Sequence, residues 1–253
     1  MNGIQEQLFL MYCDVKDILD AHGIMYFVHY GTAIGALRHD GFIPWDNDID
    51  VVIWHKDLEE VSRVLSEELD QNKYYYHVPS ADTHPHVILR SDDFETDLKK
   101  KRSLFIDIFI MEDYPDRFLR RVLVSSMIWA EVIALVILDY VRFPRIHACF
   151  SWIPRWFERR ARGLTNKDTT LCTVYSTTFG DDIFPKSYFE STFQHRFESI
   201  DVPLPNCIDV ALMSLFSDYM TPPPENKRHG ANGVPCNVYK DYLRDKRKAA
   251  KNQ

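Results

Sequence analysis

Three aspartates at alternate positions, Asp46, Asp48 and Asp50, stand immediately before the apolar run Val51-Val52-Ile53. In an extended segment, side chains two apart share a face. The three carboxylates would then line one face, and Ile49, Val51 and Ile53 the other. Carboxylates held together repel, and they resist burial unless a cation joins them. Hard oxygen donors in such a row suit Mg2+ or Mn2+. A solvated acidic turn before a strand is the alternative for three acids by themselves.

The residues upstream favour the cation. Gly31-Thr32 ends an apolar run and opens a short helical segment, Ala33 to Leu37. A strand-to-helix turn offers free backbone N–H groups and a positive helix end, both suited to phosphate. Arg38 follows, and its guanidinium can grip a phosphate in bidentate fashion. It would contact donor phosphate or buttress the acidic stretch, with a surface salt bridge as the alternative. His39 is equally suited to a structural hydrogen bond and to a catalytic one. Pro44-Trp45 bends the chain that aims Asp46 and Asp48. Trp45 either stacks on a base or fills core, and core is the better reading.

A second stretch, Leu104 to Ile110, is a nearly continuous apolar run with Asp107 at its centre. It predicts a buried strand. A buried carboxylate without a partner is costly, so Asp107 is either hydrogen-bonded in the core or reaches a cation. His77, His84 and His86 sit in or beside a loop containing Pro79 and Pro85. No carboxylate or cysteine is spaced along the chain to complete a histidine metal site there.

The elements that position these residues are legible from periodicity. Leu8, Met11, Tyr12, Val15, Ile18 and Leu19 predict an amphipathic helix over 5–22, stopped by Gly23. Ile24 to His29 reads as the first strand. A helix follows over 57–70, with Asp57 as N-cap. Tyr74 to Val78 and His86 to Arg90 read as strands, and Met111 to Pro115 as an exit from the first half. Phe118 to Leu138 is apolar and helical, and its densest part, Val122 to Leu138, is seventeen residues with Glu131 inside. A spanning helix needs roughly twenty residues, and a mid-membrane carboxylate is expensive, so a buried helix is expected. Phe150 to Arg162 mixes aromatics with arginines. It suits either a membrane interface or a solvated basic helix face. The tail from Lys240 is polar and expected to fray.

The chain has 253 residues, 45% hydrophobic and 26% charged, with net charge −7. That is ordinary globular composition, and the acidic balance argues against a nucleic-acid partner. Five scattered cysteines form no CxxC pair, and the N-terminus lacks a basic region followed by an apolar one. Both features point to the cytoplasm.

The string GTAIGALRHDGFIPWDNDIDVVI resembles the signature of the LicD family, which includes fukutin and fukutin-related protein; Asn47 stands where that family often has Asp. The resemblance implies an α/β (α+β) nucleotidyltransferase-like core over 1–112, with a small mixed sheet flanked by helices. A mainly helical part over 113–239 would complete the cleft, and 240–253 would be tail. It further implies transfer of a phospho-alcohol, such as phosphocholine or ribitol phosphate, from a CDP-activated donor to a glycan or lipid-linked glycan hydroxyl, releasing CMP. By carry-over, Asp48, Asp50 and Asp107 are the catalytic acids that hold Mg2+ or Mn2+, with Asp46 beside them. Asp107 is also the candidate base. Gly31, Thr32, Arg38 and His39 would hold donor phosphate. Later blocks, including Asp218-Tyr219, also resemble the family, although Phe216-Ser217 replaces its usual Tyr-Gly. Trp45, Asp218, Tyr219 and His229 are pocket candidates. Peripheral contact with the inner face of the membrane fits a lipid-linked acceptor. Two rival readings keep the same acids or dispense with them: a nucleotidyltransferase that makes the donor and releases pyrophosphate, and a non-catalytic scaffold.

Overall fold

The structure is a computed structural model, and it describes residues 1–78, 84–90, 104–140, 149–150, 152–165, 169–175 and 182–228. Helix α1 (Gly3–Ala21) opens with a reciprocal cap: Asn2 Oδ1 accepts from the N–H groups of Ile4 and Gln5, and Gln5 Oε1 accepts from Asn2 N–H. Two of the first turn's orphan donors are thereby satisfied. Its apolar stripe, Leu8, Met11, Tyr12, Val15 and Leu19, is buried. Gly23, at φ 62°, turns the chain into strand β1 (Tyr26–Val28).

Helix α2 (Tyr30–His39) and strand β2 (Asp50–Trp54) follow, then α3 (Leu58–Glu68), β3 (Tyr74–His77), β4 (His86–Leu89) and the ten-residue β5 (Phe105–Tyr114). The sheet runs β1-β2-β5-β4-β3, with β2 and β5 parallel and the other pairs antiparallel. The alternation of side chains along a strand gives this sheet two apolar faces. Ile49, Val51, Ile53, Ile106 and Ile108 pack with the buried stripes of α1 and α3. Phe27, Val52, Trp54 and Met111 pack with Phe184, Phe189 and Ala211 on the other side.

The chain past residue 112 builds sheet as well as helix. The expected boundary after 112 falls inside β5, which is long enough to pair β4 along its first part and β6 (Leu171–Val174) along its last. Strand β7 (Ile183–Pro185) adds to β6, and β8 (Thr192–Phe197) with β9 (Ile200–Pro205) forms a separate hairpin. Helices α4 (Phe118–Tyr140), α5 (Trp152–Gly163) and α6 (Ile208–Phe216) complete the described part.

Helix α4 differs from the expectation of burial. One edge is buried through Val124, Glu131 and Leu135, while Phe118 (73% exposed), Leu119 (76%), Leu123, Trp129, Ile133 and Ile137 face outward. Glu131 fits the buried edge because the Tyr175 hydroxyl donates to its carboxylate. Among the described residues no helix is long and apolar enough to cross a membrane.

Candidate functional site

Helix α2 starts earlier than its sequence suggests. His29 is the N-cap, its Nδ1 accepting the Tyr30 N–H at 2.8 Å, so Gly31 and Thr32 lie in the first turn. That turn faces carboxylates. Thr32 Oγ1 accepts the Asp50 N–H at 2.8 Å, and Thr32 N–H points at Asp50 Oδ2 across 3.5 Å. Gly31 is pressed so close that a Cβ there would stand 2.6 Å from Asp46 Oδ2. Negative charge at a helix N-terminus is favourable, and here Asp50 and Asp46 supply it.

Only Asp50 belongs to β2; Asp46 and Asp48 lie in the loop before it. The expected three-acid strand face is therefore replaced by a loop. The cause is local. The carbonyls of Ile43 and Asp46 both accept from Gln5 Nε2 at 3.0 Å, Asp46 N–H turns back to Ile43 O, and Asn47 N–H bonds Asp46 Oδ1. These bonds occupy groups that a ladder would need. The carboxylates still converge: oxygens of Asp48, Asp50 and Asp107 lie within 4.8 Å of one another.

Register explains the meeting of Asp50 and Asp107. They are direct partners across β2 and β5, and the same row continues to His86 on β4 and His77 on β3. Four strands thus set a line of polar residues across one sheet face. His84, just before β4, joins it. Its Nε2 lies 3.1 Å from Asp107 Oδ1, and His86 Nε2 lies 3.0 Å from the same oxygen. The carboxylate that was missing for a histidine metal site along the chain is supplied by Asp107 in space.

Electrostatics divide the acids. Burial, then the charges of Asp50, Asp46 and Asp107, push Asp48 up to about 10. Burial and Asp107 and Asp46 raise Asp50 well above the carboxylate range, against the pull of the Thr32 and Gly31 N–H groups. Burial also raises Asp46. For Asp107 burial acts upward, but hydrogen bonds from His84 and His86 overcome it and hold it below its ordinary value. The group cannot be fully ionised near neutrality without added positive charge. That charge deficit and the converging oxygens fit a divalent cation.

The remaining candidates lie apart from the acids. Arg38 donates to the Tyr219 carbonyl and its Nε faces His39 Nδ1 at 3.4 Å; neither acid nor acidic loop is its partner. Burial, then Arg38, lowers His39. Trp45 packs at the edge of the main core, and the Arg228 guanidinium sits 4.6 Å from its ring centroid. Tyr219 is buried and donates its hydroxyl to Asp209. Asp218 accepts the Thr221 N–H at 3.3 Å in an exposed turn. His229 lies outside the described residues. At 1.5 Å per residue, Arg38 is about 10 Å along α2 from the acid-facing turn.

Glu198, in a later block (Arg196-Phe197-Glu198) that resembles the family and could frame the pocket, reaches the loop before the acids. Its Oε1 accepts the Phe42 N–H at 3.1 Å, and it lies where a Cβ on Gly41 would stand, 2.3 Å away. No local pattern marks that contact, which joins the β8–β9 turn to the loop before the acids.

A mixed sheet flanked by helices, with a helix N-terminus and acids gathered at one end, defines a nucleotidyltransferase-like α/β fold. Residues 23–132 match the family model described as "LicD/FKTN/FKRP, nucleotidyltransferase domain". This region is similar to LicD-family domains. The chain is 24% identical over 232 residues to "Lipopolysaccharide cholinephosphotransferase LicD" of Haemophilus influenzae, covering 82% of this chain and 86% of that protein. An uncharacterised protein of Rickettsia prowazekii is 27% identical over 113 residues, 44% of this chain and 41% of that one. "Ribitol 5-phosphate transferase FKRP" of Homo sapiens is 35% identical over 54 residues, 21% of this chain and 11% of that protein.

Proposed function

We propose that this chain is a LicD-type phosphotransferase. It moves a phospho-alcohol, such as phosphocholine or ribitol phosphate, from a CDP-activated donor to the hydroxyl of a glycan or lipid-linked glycan. The observation that carries the reading is the convergence of Asp48, Asp50 and Asp107 at the first turn of α2, inside the LicD-family region. The named relatives supply the reaction class.

Asp48, Asp50 and Asp107 would hold Mg2+ or Mn2+, with Asp46 supporting them. When bound, the cation neutralises donor phosphate and the charge that develops on the leaving oxygen. Thr32 fixes Asp50 through its backbone, and Gly31 leaves room for Asp46. In the transfer, the acceptor oxygen bonds to the distal phosphorus and the bridging P–O bond breaks. CMP leaves with the electron pair, and the hydroxyl proton is released to solvent. Asp107 anchors the cation rather than taking that proton: an oxygen already facing two imidazole nitrogens, on a carboxyl held low, is a weak base. Arg38, His39, Trp45 and Tyr219, with Asp218 and His229 further along the chain, remain proposed contributors to the donor and acceptor pocket. Residues 1–112 carry the cation-binding core, and 113–239 close the cleft.

Contact with the inner face of the membrane belongs to the same reading. The outward edge of α4 is apolar, and exposed Trp152, Arg155, Trp156, Arg159 and Arg160 share one stripe of α5. Aromatic and arginine side chains together suit a lipid interface. Co-flotation with anionic vesicles, lost in Trp152→Ser/Trp156→Ser, is the expected behaviour.

Calorimetry tests the central claim. CDP, but not UDP, ADP or GDP, should bind in the presence of Mn2+, and Asp48→Asn/Asp50→Asn should abolish it. CDP-choline, CDP-ribitol and CDP-glycerol would then be screened for CMP release onto glycan. Binding of no nucleotide by folded protein would sink the donor assignment. Pyrophosphate release from CTP would replace transfer by donor synthesis.

A further inference from the structure

We infer that His84 and His86, with Asp107, form a second cation site that takes a borderline transition metal such as Zn2+ or Fe2+ beside the all-oxygen site. The inference rests on the anchoring role given to Asp107 above, and not on the identity of the donor.

The side chains are held in place by backbone. Pro85 separates the two histidines, and its carbonyl accepts the Ile108 N–H at 3.0 Å. His86 is the direct ladder partner of Asp107. The His-Pro-His segment is thereby latched to the strand that carries the carboxylate. Two elements then bring two Nε2 atoms to one oxygen, at 3.1 and 3.0 Å. Ligands bonded at roughly 2.1 Å to one ion have neighbouring donor atoms roughly 3 Å apart in an octahedral arrangement. The two imidazole nitrogens already stand at such spacing from the shared oxygen. All the candidate ligand atoms lie within 4.8 Å of one another.

Access and chemistry agree with this assignment. The His86 side chain is wholly buried, whereas His84 and Asp107 keep 12% and 13% exposure. An ion would enter past His84. Imidazole nitrogen suits Zn2+, Fe2+ and related ions, whereas all-carboxylate sets suit Mg2+ and Mn2+. The two sets, His84/His86/Asp107 and Asp48/Asp50/Asp107, share one carboxylate and differ in hardness. They would load different metals, with Asp107 bridging.

The rival is a purely protonic arrangement in which the imidazole N–H groups donate to Asp107 and no metal enters. Cobalt distinguishes the two. Metal-free full-length protein is titrated with Co2+ alone, with stoichiometry read by elemental analysis and nitrogen ligation by the visible absorption bands of the ion. The expected result is two equivalents for wild type. His84→Ala should hold one and lose the bands assigned to nitrogen ligation. Asp48→Asn/Asp50→Asn should hold one and keep them. His86→Gln should match His84→Ala, but His86 is wholly buried, so the rim residue His84 carries the decisive arm, with a melting curve matching wild type as the control. One equivalent or none in wild type, or bands that survive His84→Ala, would overturn the second site. Loss of Mn2+-dependent CDP binding with the cobalt bands intact would count against the donor reading and leave this one standing.

Discussion

Replacing Asp48 with Asn should make the metal-free protein more stable, and increasingly so as pH rises. In the folded chain Asp48 is pushed up to about 10 by burial and by Asp50, Asp46 and Asp107, from an ordinary value of 3.8. Between those values the folded protein keeps a proton that the unfolded chain has released. The unfolded state binds fewer protons, so stability falls with rising pH. One proton corresponds to ~1.4 kcal/mol per pH unit; Asp48 retains some solvent contact, so a working figure is about 1 kcal/mol per unit. For a chain of this length each kcal/mol shifts Tm by about 2–4 °C. From pH 6 to pH 8 the share of Asp48 in the stability lost by the metal-free wild type should therefore be about 2 kcal/mol, or about 4–8 °C. Asp48→Asn mimics the protonated carboxyl and should remove that group's share of the slope.

Magnesium should act in the opposite sense. It requires the ionised acids, so binding releases protons and strengthens with pH. The Tm gap between Mg2+ and chelator should widen from pH 6 to pH 8 in wild type and close in Asp48→Asn. Glu112 and Glu131 are also raised by burial, to about 7. Their contribution is common to both proteins and cancels in the difference. Thermal denaturation followed by circular dichroism, at pH 6, 7 and 8 with and without chelator, reads all of this. A metal-free Asp48→Asn protein less stable than wild type at pH 8 would refute the reasoning, because carboxylate repulsion would then not be the dominant force in the cluster.

Three further outcomes follow from close contacts. Gly31→Ala places a methyl 2.6 Å from Asp46 Oδ2, and displacing that carboxylate should weaken Mn2+ binding by about tenfold, measured calorimetrically. Gly35→Ala meets the backbone oxygen of Gly41 at 2.5 Å, where no side chain can yield, so a loss of about 1–3 kcal/mol is expected in urea melts. Arg162→Met removes the cation 2.7 Å from Glu112. Glu112 is pushed up to about 7 despite Arg162, whose charge lowers it; without that charge it rises further and stays protonated in the fold. The loss should approach about 3 kcal/mol at pH 8 and shrink at pH 6, where Glu112 is protonated in wild type as well.

What the sequence discloses here is what lies close along the chain. Gly31-Thr32, the alternate aspartates and the lone acid in an apolar strand are each readable within a few residues. The acids come together because β2 and β5 are parallel neighbours in register. The strand assignment of Asp46 and Asp48 failed for a long-range reason: Gln5, 38 residues before Ile43, captures the carbonyls of the loop. The histidine set lacks a carboxylate along the chain because its third member comes from across the β4–β5 ladder. The extent of helix α4 is legible, but its apolar composition conceals that only one edge packs inward. A uniformly apolar stretch has no period from which to read the exposed face.

The acid-bearing loop is also held from the far half of the chain, and this bears on how the site keeps its shape. Tyr30, at the start of α2 with φ 46°, gives its hydroxyl to Asp182 at 3.0 Å. Glu198, at φ 56°, accepts the Phe42 N–H, while its own N–H donates to Asp40 O at 2.7 Å. Arg38 holds the carbonyl of Tyr219. Positive φ at a residue other than glycine is sparsely populated and persists only where surrounding contacts over-determine it. Of the four such residues described, Tyr30 and Glu198 lie on bonds that tie α2 and its following loop to segments beyond residue 180. The carboxylates repel, and the loop that carries two of them belongs to no ladder. Contacts from the second half therefore do for Asp46 and Asp48 what strand pairing does for Asp50 and Asp107: they oppose the outward relaxation that the cluster's own charge would drive until a cation neutralises it.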